Sequence, residues 1–204
     1  GRDVSTNRNH GAAVGGVTSA EDSPFAGESS AAFDGASGYV GVINAGSPPL
    51  STASTQYTAE AWARFDDFSA NRTVFCLTES GSTIAVMIRM IYLQSTDVIN
   101  VLVRGTNNVA NQINFARGGM ASNTWTHLAA TRLGNTVTLY VNGAPVATNT
   151  GSVAEMRAGS YYTTIGAVRN STSRSGGSFH KGQISDVRIW NVARTPEQIA
   201  ENYT

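Results

Sequence analysis

The segment Asn123 to Asn149, NTWTHLAATRLGNTVTLYVNGAPVATN, leaves a chain of this kind few ways to fold. Val137, Leu139 and Val141 alternate with Thr136, Thr138, Tyr140 and Asn142, a period of two that buries one face of a strand and leaves the other freer. Asn142-Gly143 follows at once, and this pair accepts the positive φ angles of the turns whose twist suits antiparallel strands. A hairpin is therefore expected to close onto Pro145 to Thr148. Gly134-Asn135 separates the same strand from Trp125 to Arg132, so three strands are expected to meander in one antiparallel sheet. The rest of the chain has to supply the sheet that covers its apolar face.

Within that segment, WTHLAATRLGNTVTLYVNGAPV resembles the core signature of the laminin-G-like, concanavalin A-like jelly-roll domains. SSAAFDGASGYVGV near the start and GQISDVRIWNVARTPEQIAENY at the end resemble the same family, and the landmarks follow its order along almost the whole chain. The resemblance implies an all-β fold, a two-sheet antiparallel jelly-roll sandwich with one short C-terminal helix. It does not select a function, because this fold carries lectins, adhesion modules, glycan hydrolases and passive spacers.

A length of 204 residues suits one all-β domain over 1–204. Hydrophobic residues at 41%, charged residues at 14% and 21 glycines describe many short strands joined by tight turns. Basic and acidic residues balance at 14 each, so no general field attracts nucleic acid or an anionic membrane, and polyanion binding is not expected as a main role. A lone cysteine, Cys76, makes no internal disulfide, and among the apolar neighbours of TVFCLT it is expected to be a small buried hydrophobe. No segment approaches the ~20 apolar residues of a membrane helix, so no membrane insertion is expected. The chain begins with Gly1 rather than Met and reads as a module of a longer protein. The family resemblance implies an extracellular or surface-exposed location.

Strands are expected at Ala12 to Thr18, Ala31 to Phe33, Tyr39 to Ile43, Thr73 to Leu77 and Ile84 to Leu93. Others are expected at Val98 to Arg104, Ile113 to Ala116 and Tyr161 to Val168. In the final strand, Phe179 to Trp190, Ile184 and Val187 are three apart, which breaks alternation and predicts a β-bulge that re-aims Asp186. Thr195-Pro196-Glu197-Gln198 carries a helix cap, proline at the first helical position and a glutamine placed to complete a capping box. Ile199 and Tyr203 lie on the packing side of the helix that follows.

The long strand Tyr57 to Phe65 supplies the candidate binding residues. Tyr57, Ala59, Ala61, Ala63 and Phe65 form its core face, and Thr58, Glu60, Trp62 and Arg64 the other. An indole between a carboxylate and a guanidinium can stack on a sugar ring and hydrogen-bond its hydroxyls, which makes Glu60, Trp62 and Arg64 candidate ligand contacts. The alternative is structural: Glu60 and Arg64 pair with neighbouring strands while Trp62 packs under a loop. His127 and Tyr140 can join the same site, and each is also a common half-buried strand residue.

An enzyme needs a constellation that the sequence does not display. Glycan hydrolases of this broad fold resemble one another in clustering carboxylates as Glu-x-Asp-x-x-Glu, whereas Glu60 is followed by Ala61 and Trp62. Hydrolysis requires two carboxyls about 5 to 10 Å apart, and Glu60 has no partner in its own strand. His10, His127 and His180 lack the spacing of a zinc motif. The expected function is therefore a non-catalytic recognition module for a glycan or protein ligand. A structural or decoration domain of a virion or cell-surface assembly is the alternative, and a cryptic glycan hydrolase a third.

The resemblance also implies a structural calcium where chain ends and loops meet. Asp3, in the oxygen-rich opening run with Ser5, Asn7 and Asn9, Asp34 in the turn after the second strand, and Asp186 at the bulge are its candidate carboxylate ligands.

Overall fold

The structure is a computed structural model that describes residues 10–44, 54–79, 86–156, 161–169 and 176–203. In chain order the first strands are β1 (Ala12–Val14), β2 (Val17–Ala20), β3 (Ser30–Asp34), β4 (Tyr39–Asn44), β5 (Gln56–Phe65), β6 (Arg72–Glu79), β7 (Val86–Leu93) and β8 (Val98–Arg104). They continue as β9 (Ala110–Ala116), β10 (Trp125–Leu133), β11 (Thr136–Val141), β12 (Ala144–Thr150), β13 (Tyr161–Ile165), β14 (Val168–Arg169), β15 (Gly176–Gly177) and β16 (Lys181–Trp190). Helix α1 spans Pro196–Tyr203.

Two seven-stranded antiparallel sheets face each other. The first runs β1-β4-β13-β6-β7-β8-β9, the second β12-β11-β10-β5-β16-β3-β2, and β14 pairs with β15 beside them. The expected meander is present as β10, β11 and β12, and both Asn142 (φ 49°) and Gly143 (φ 77°) adopt the left-handed turn conformation. One continuous cluster of buried apolar side chains lies between the sheets, with Tyr57, Ala59, Ala61, Ala63 and Phe65 meeting Phe75, Met90, Val101 and Ile113. The expected alternation of β5 thus holds. These parts form the jelly-roll sandwich that the resemblance implies.

The expected single strand Ala12 to Thr18 is two strands. Gly15, at φ 67°, turns the chain so that β1 joins β4 in the first sheet while β2 joins β3 in the second. The turn is tight, since a Cβ at Gly15 or at Gly38 would strike the backbone of the facing turn. Cys76 is buried as expected, with its sulfur 3.4 Å from Thr78 Oγ1.

The predicted bulge is present in β16. Ser185 pairs with Trp62 and Arg188 with Glu60, so one extra residue is inserted, and Asp186 takes a φ of 49°. Ile184 faces the core before the bulge and Val187 and Ile189 after it, which turns Arg188 and Trp190 to the outer face beside Glu60. The capping box closes as the sequence predicts: Thr195 N donates to Gln198 Oε1 at 3.0 Å, and Gln198 N donates to Thr195 Oγ1 at 3.3 Å.

Candidate functional site

Register gathers the predicted ligand residues of the second sheet. On its outer face His127 pairs with Trp62, Ala129 with Glu60 and Tyr140 with Ala129, so Glu60, Trp62, His127 and Tyr140 become neighbours. Helix α1 then covers them. Ile199 packs into a small second core with Ala129 and Tyr140, and Gly143 lets the helix approach, since a Cβ there would crowd Ala200 and Tyr203. Tyr203 stacks on Trp62 with ring centroids 5.4 Å apart and planes at 16°, and Phe25 meets the same indole edge-on at 6.0 Å. Glu60 is 3% and Trp62 9% exposed, and His127 and Tyr140 are buried, so these four candidate contacts are packed within the fold. The ring that stacks on Trp62 is the protein's own Tyr203, the packing that the structural alternative describes.

Glu60 is the polar centre of this buried layer. Its Oε1 accepts hydrogen bonds from Trp190 Nε1 at 2.8 Å and Asn202 Nδ2 at 2.7 Å, and its Oε2 lies 3.5 Å from His127 Nε2, an electrostatic contact. Burial alone would raise the Glu60 pKa; contacts with His127, Trp190 and Asn202 outweigh it and hold the carboxyl below its ordinary 4.5. A carboxyl depressed in the fold contributes stability that is present above its unfolded value and lost as pH falls through the lower folded value. Melting of the wild type and Glu60→Gln from pH 7 to pH 3 should therefore show a gap that is largest near neutrality and closes below the ordinary carboxylate range. A gap of constant size would contradict this role.

Arg64, the fifth predicted contact, is half-buried and occupied. Its guanidinium reaches Asp22 at 3.5 Å, Asp66 at 3.3 Å and Gln183 Oε1 at 2.9 Å. Of the calcium ligands implied by the resemblance, Asp34 and Asp186 have protein partners. Asp34 accepts backbone hydrogen bonds from Ser37, Ala36 and Gly38, each at 2.9 Å, which hold its carboxyl well below the usual range. Its other oxygen accepts from Ser37 Oγ. Asp186 is clamped by Arg188, with Nε to Oδ1 at 2.8 Å and Nη2 to Oδ2 at 2.6 Å. Asp3 lies outside the described residues. Asp34 and Asp186 thus have partners within a turn and at a bulge, and among the described residues no three His, Cys, Asp or Glu side chains group to hold a metal ion.

The outer face of the first sheet is different, because hydrogen-bonding capacity there is not used up. Arg89 on β7 and Asn100 on β8 project from neighbouring rows, and Arg89 Nη2 donates to Asn100 Oδ1 at 2.7 Å. Asn100 Nδ2 in turn donates to Asn114 Oδ1 at 2.7 Å and Gln112 Oε1 at 3.3 Å on β9. Asn100 is buried, whereas Gln112 and Asn114 are exposed, so the ladder points their NH₂ groups toward solvent. Across the sheet, register places Tyr39 and Tyr162 on the same face as Thr164 and Gly41, and the Tyr39 ring lies over Gly41, where a Cβ would stand 3.2 Å from it. The face thus combines half-buried phenol rings with a fixed row of amide donors. Residues from β4, β13, β7, β8 and β9 meet there only through register, and no motif in the sequence links them.

A cleft of about 320 Å³ opens beside β9, lined by Phe115, Met120, Val141 and Val146. Its charged group, Arg117, is held by Asp97 at 2.7 Å and by the Met120 carbonyl at 2.8 Å, which leaves the cleft mainly apolar. No helix among the described residues is long and apolar enough to cross a membrane.

A family profile described as the concanavalin A-like lectin/glucanases superfamily matches residues 34–200. No curated protein matches the chain. Among solved structures, the binding domain of botulinum neurotoxin serotype G is similar with a TM-score of 0.72 and 12% identity, over 99% of this chain and 47% of that one. The binding domain of Paraclostridial Mosquitocidal Protein 1 is similar with a TM-score of 0.72 and 11% identity, over 99% and 48%. This chain thus spans about half the length of those toxin domains. Domain 4 of AbnA, a GH43 extracellular arabinanase from Geobacillus stearothermophilus solved with arabinotriose, is similar with a TM-score of 0.62 and 16% identity, over 95% and 88%. At such identities the likeness establishes the fold, one shared with binding domains.

Proposed function

The chain belongs to the concanavalin A-like lectin/glucanases superfamily, and we propose that it is a non-catalytic recognition module that binds glycan on the outer face of the β1-β4-β13-β6-β7-β8-β9 sheet. The observation that carries this reading is the ladder Arg89, Asn100, Gln112 and Asn114, whose exposed amides are held in place by a buried asparagine. Fixed donors bind sugar hydroxyls without the entropic cost of ordering mobile side chains, and Tyr39 and Tyr162 provide apolar surface for a ring. The similar arabinanase domain was solved with arabinotriose, which supports a sugar as ligand. Against hydrolysis stands the placement of Glu60, a buried carboxylate directed at Trp190, Asn202 and His127 rather than at a cleft. The similar structures are parts of larger proteins, which favours a module of a longer extracellular or surface-exposed chain.

Titration against a panel of immobilised oligosaccharides that includes arabinotriose tests the proposal. Saturable binding is expected, and Gln112→Ala and Asn114→Ala should each weaken it about tenfold, the loss of one or two hydrogen bonds, with melting unchanged. Binding unaltered in the double variant would move the site elsewhere. A panel with no saturable ligand would overturn the glycan reading.

A further inference from the structure

On this same face two arginines have no carboxylate partner among the described residues. Arg89 on β7 and Arg104 on β8 are diagonal neighbours, since Arg89 pairs with Leu102, and such positions lie roughly 7 Å apart. Arg64 is matched with Asp22 and Asp66, Arg72 with Asp67, Arg117 with Asp97 and Arg188 with Asp186, while Arg194 lies over the Trp190 ring and donates to Gln198 O and Asn202. Among the described residues no such pairing exists for Arg89 or Arg104. Both Nε atoms are buried and lack a hydrogen-bond partner, and Arg104 makes only a 3.4 Å contact from Nη1 to Asn108.

The surroundings of Arg89 sharpen the contrast. Its cross-strand neighbours in the same row, Cys76 and Leu102, are buried, so the guanidinium rises from an apolar floor. Burial, with Arg104 nearby, lowers the Arg89 pKa from its ordinary range. A half-desolvated cation with unmet donors is costly, and an anion bound there gains more than it would in open water. Asn100 links the guanidinium to the amides, accepting from Arg89 Nη2 and donating to Gln112 Oε1 and Asn114 Oδ1. A planar fork with adjacent amide donors matches a carboxylate flanked by hydroxyls.

We propose that the ligand of this face is an acidic glycan, whose sugar carboxylate is held by Arg89 and Arg104 while the Gln112 and Asn114 amides hold neighbouring hydroxyls. The proposal rests on the glycan reading above and narrows it to uronic or sialic acid units. The zero net charge of the chain does not oppose it, because the imbalance is local and concerns one carboxylate rather than a polyanion.

Calorimetric titration decides the matter, with galacturonate-, glucuronate- and sialate-bearing oligosaccharides, each beside its carboxyl-reduced neutral counterpart. At least one acidic form should bind about tenfold or more tightly than its neutral counterpart, and the margin should shrink as salt is raised. Arg104→Gln should erase most of the margin while leaving the affinity for the neutral counterpart in place, whereas Arg89→Gln, which also removes a hydrogen bond of the ladder, should narrow the margin and weaken both forms. If Arg89→Gln fails to fold, Arg104→Gln alone carries the test. Equal binding of acidic and neutral forms, or binding confined to neutral sugars of the wider panel, would overturn this inference and leave the glycan reading standing. An absence of any glycan binding would remove both.

Discussion

Trp62→Ala should lower stability by about 3 to 5 kcal/mol, the range for removing a large aromatic side chain from a packed site. For a chain of this length that corresponds to a fall in melting temperature of roughly 10 °C or more. The expectation follows from the contacts that the indole makes on all sides: Tyr203 stacked at 5.4 Å, His127 at 5.4 Å and Phe25 edge-on at 6.0 Å. Trp62→Phe should recover part of the loss because a ring still meets Tyr203. Thermal and urea denaturation of both variants provide the measurement. A Trp62→Ala protein with wild-type melting would return Trp62 to the role of a ligand contact and free the helix of its packing role.

Arg132→Met should cost about 3 to 5 kcal/mol, although the substitution is apolar, similar in length and placed in the core. Arg132 is fully buried on the inward face of β10, in the row of Tyr57 and Val137. Its guanidinium donates to the carbonyls of Gly134 at 2.9 Å, Val153 at 2.7 Å and Ala154 at 2.8 Å, and it lies 6.0 Å from the Tyr57 ring. Removing it leaves these carbonyls short of a donor and unties the segment after β12 from the sheet. Arg132→Lys should not rescue the loss, because one ammonium cannot span acceptors arranged around a planar fork. Urea unfolding that gives a loss below about 1 kcal/mol in Arg132→Met would contradict the tie.

Much of the fold is readable without coordinates because the forces involved are local. Alternation in Thr136 to Val141, the Asn142-Gly143 turn, the three-residue spacing from Ile184 to Val187 and the capping box at Thr195 each act over a few residues, and each appears in the structure where the sequence places it. Gly15 marks the limit of that reading. Apolar content alone continues a strand through it, and its positive φ becomes necessary only because two sheets must be entered in succession.

The site is harder to read, since alternation assigns a residue to a face but not what covers that face. Glu60 and Trp62 belong to the outer side of β5 as their phase requires, yet a helix more than a hundred residues later closes over them, as the Asn202 hydrogen bond to Glu60 records. Arg132 has a core phase and a surface chemistry, and the conflict is resolved by backbone carbonyls that only the folded chain delivers. The charge balance of 14 against 14 is likewise plain in the sequence, whereas the unmatched Arg89 and Arg104 arise from which strands are neighbours. Periodicity and turn chemistry are properties of adjacent residues, so the amino-acid order specifies the strands, the bulge and the helix. Coverage, register and ion pairing join residues far apart in the chain, so the packing of the two sheets determines which polar face is sealed and which stays open to solvent.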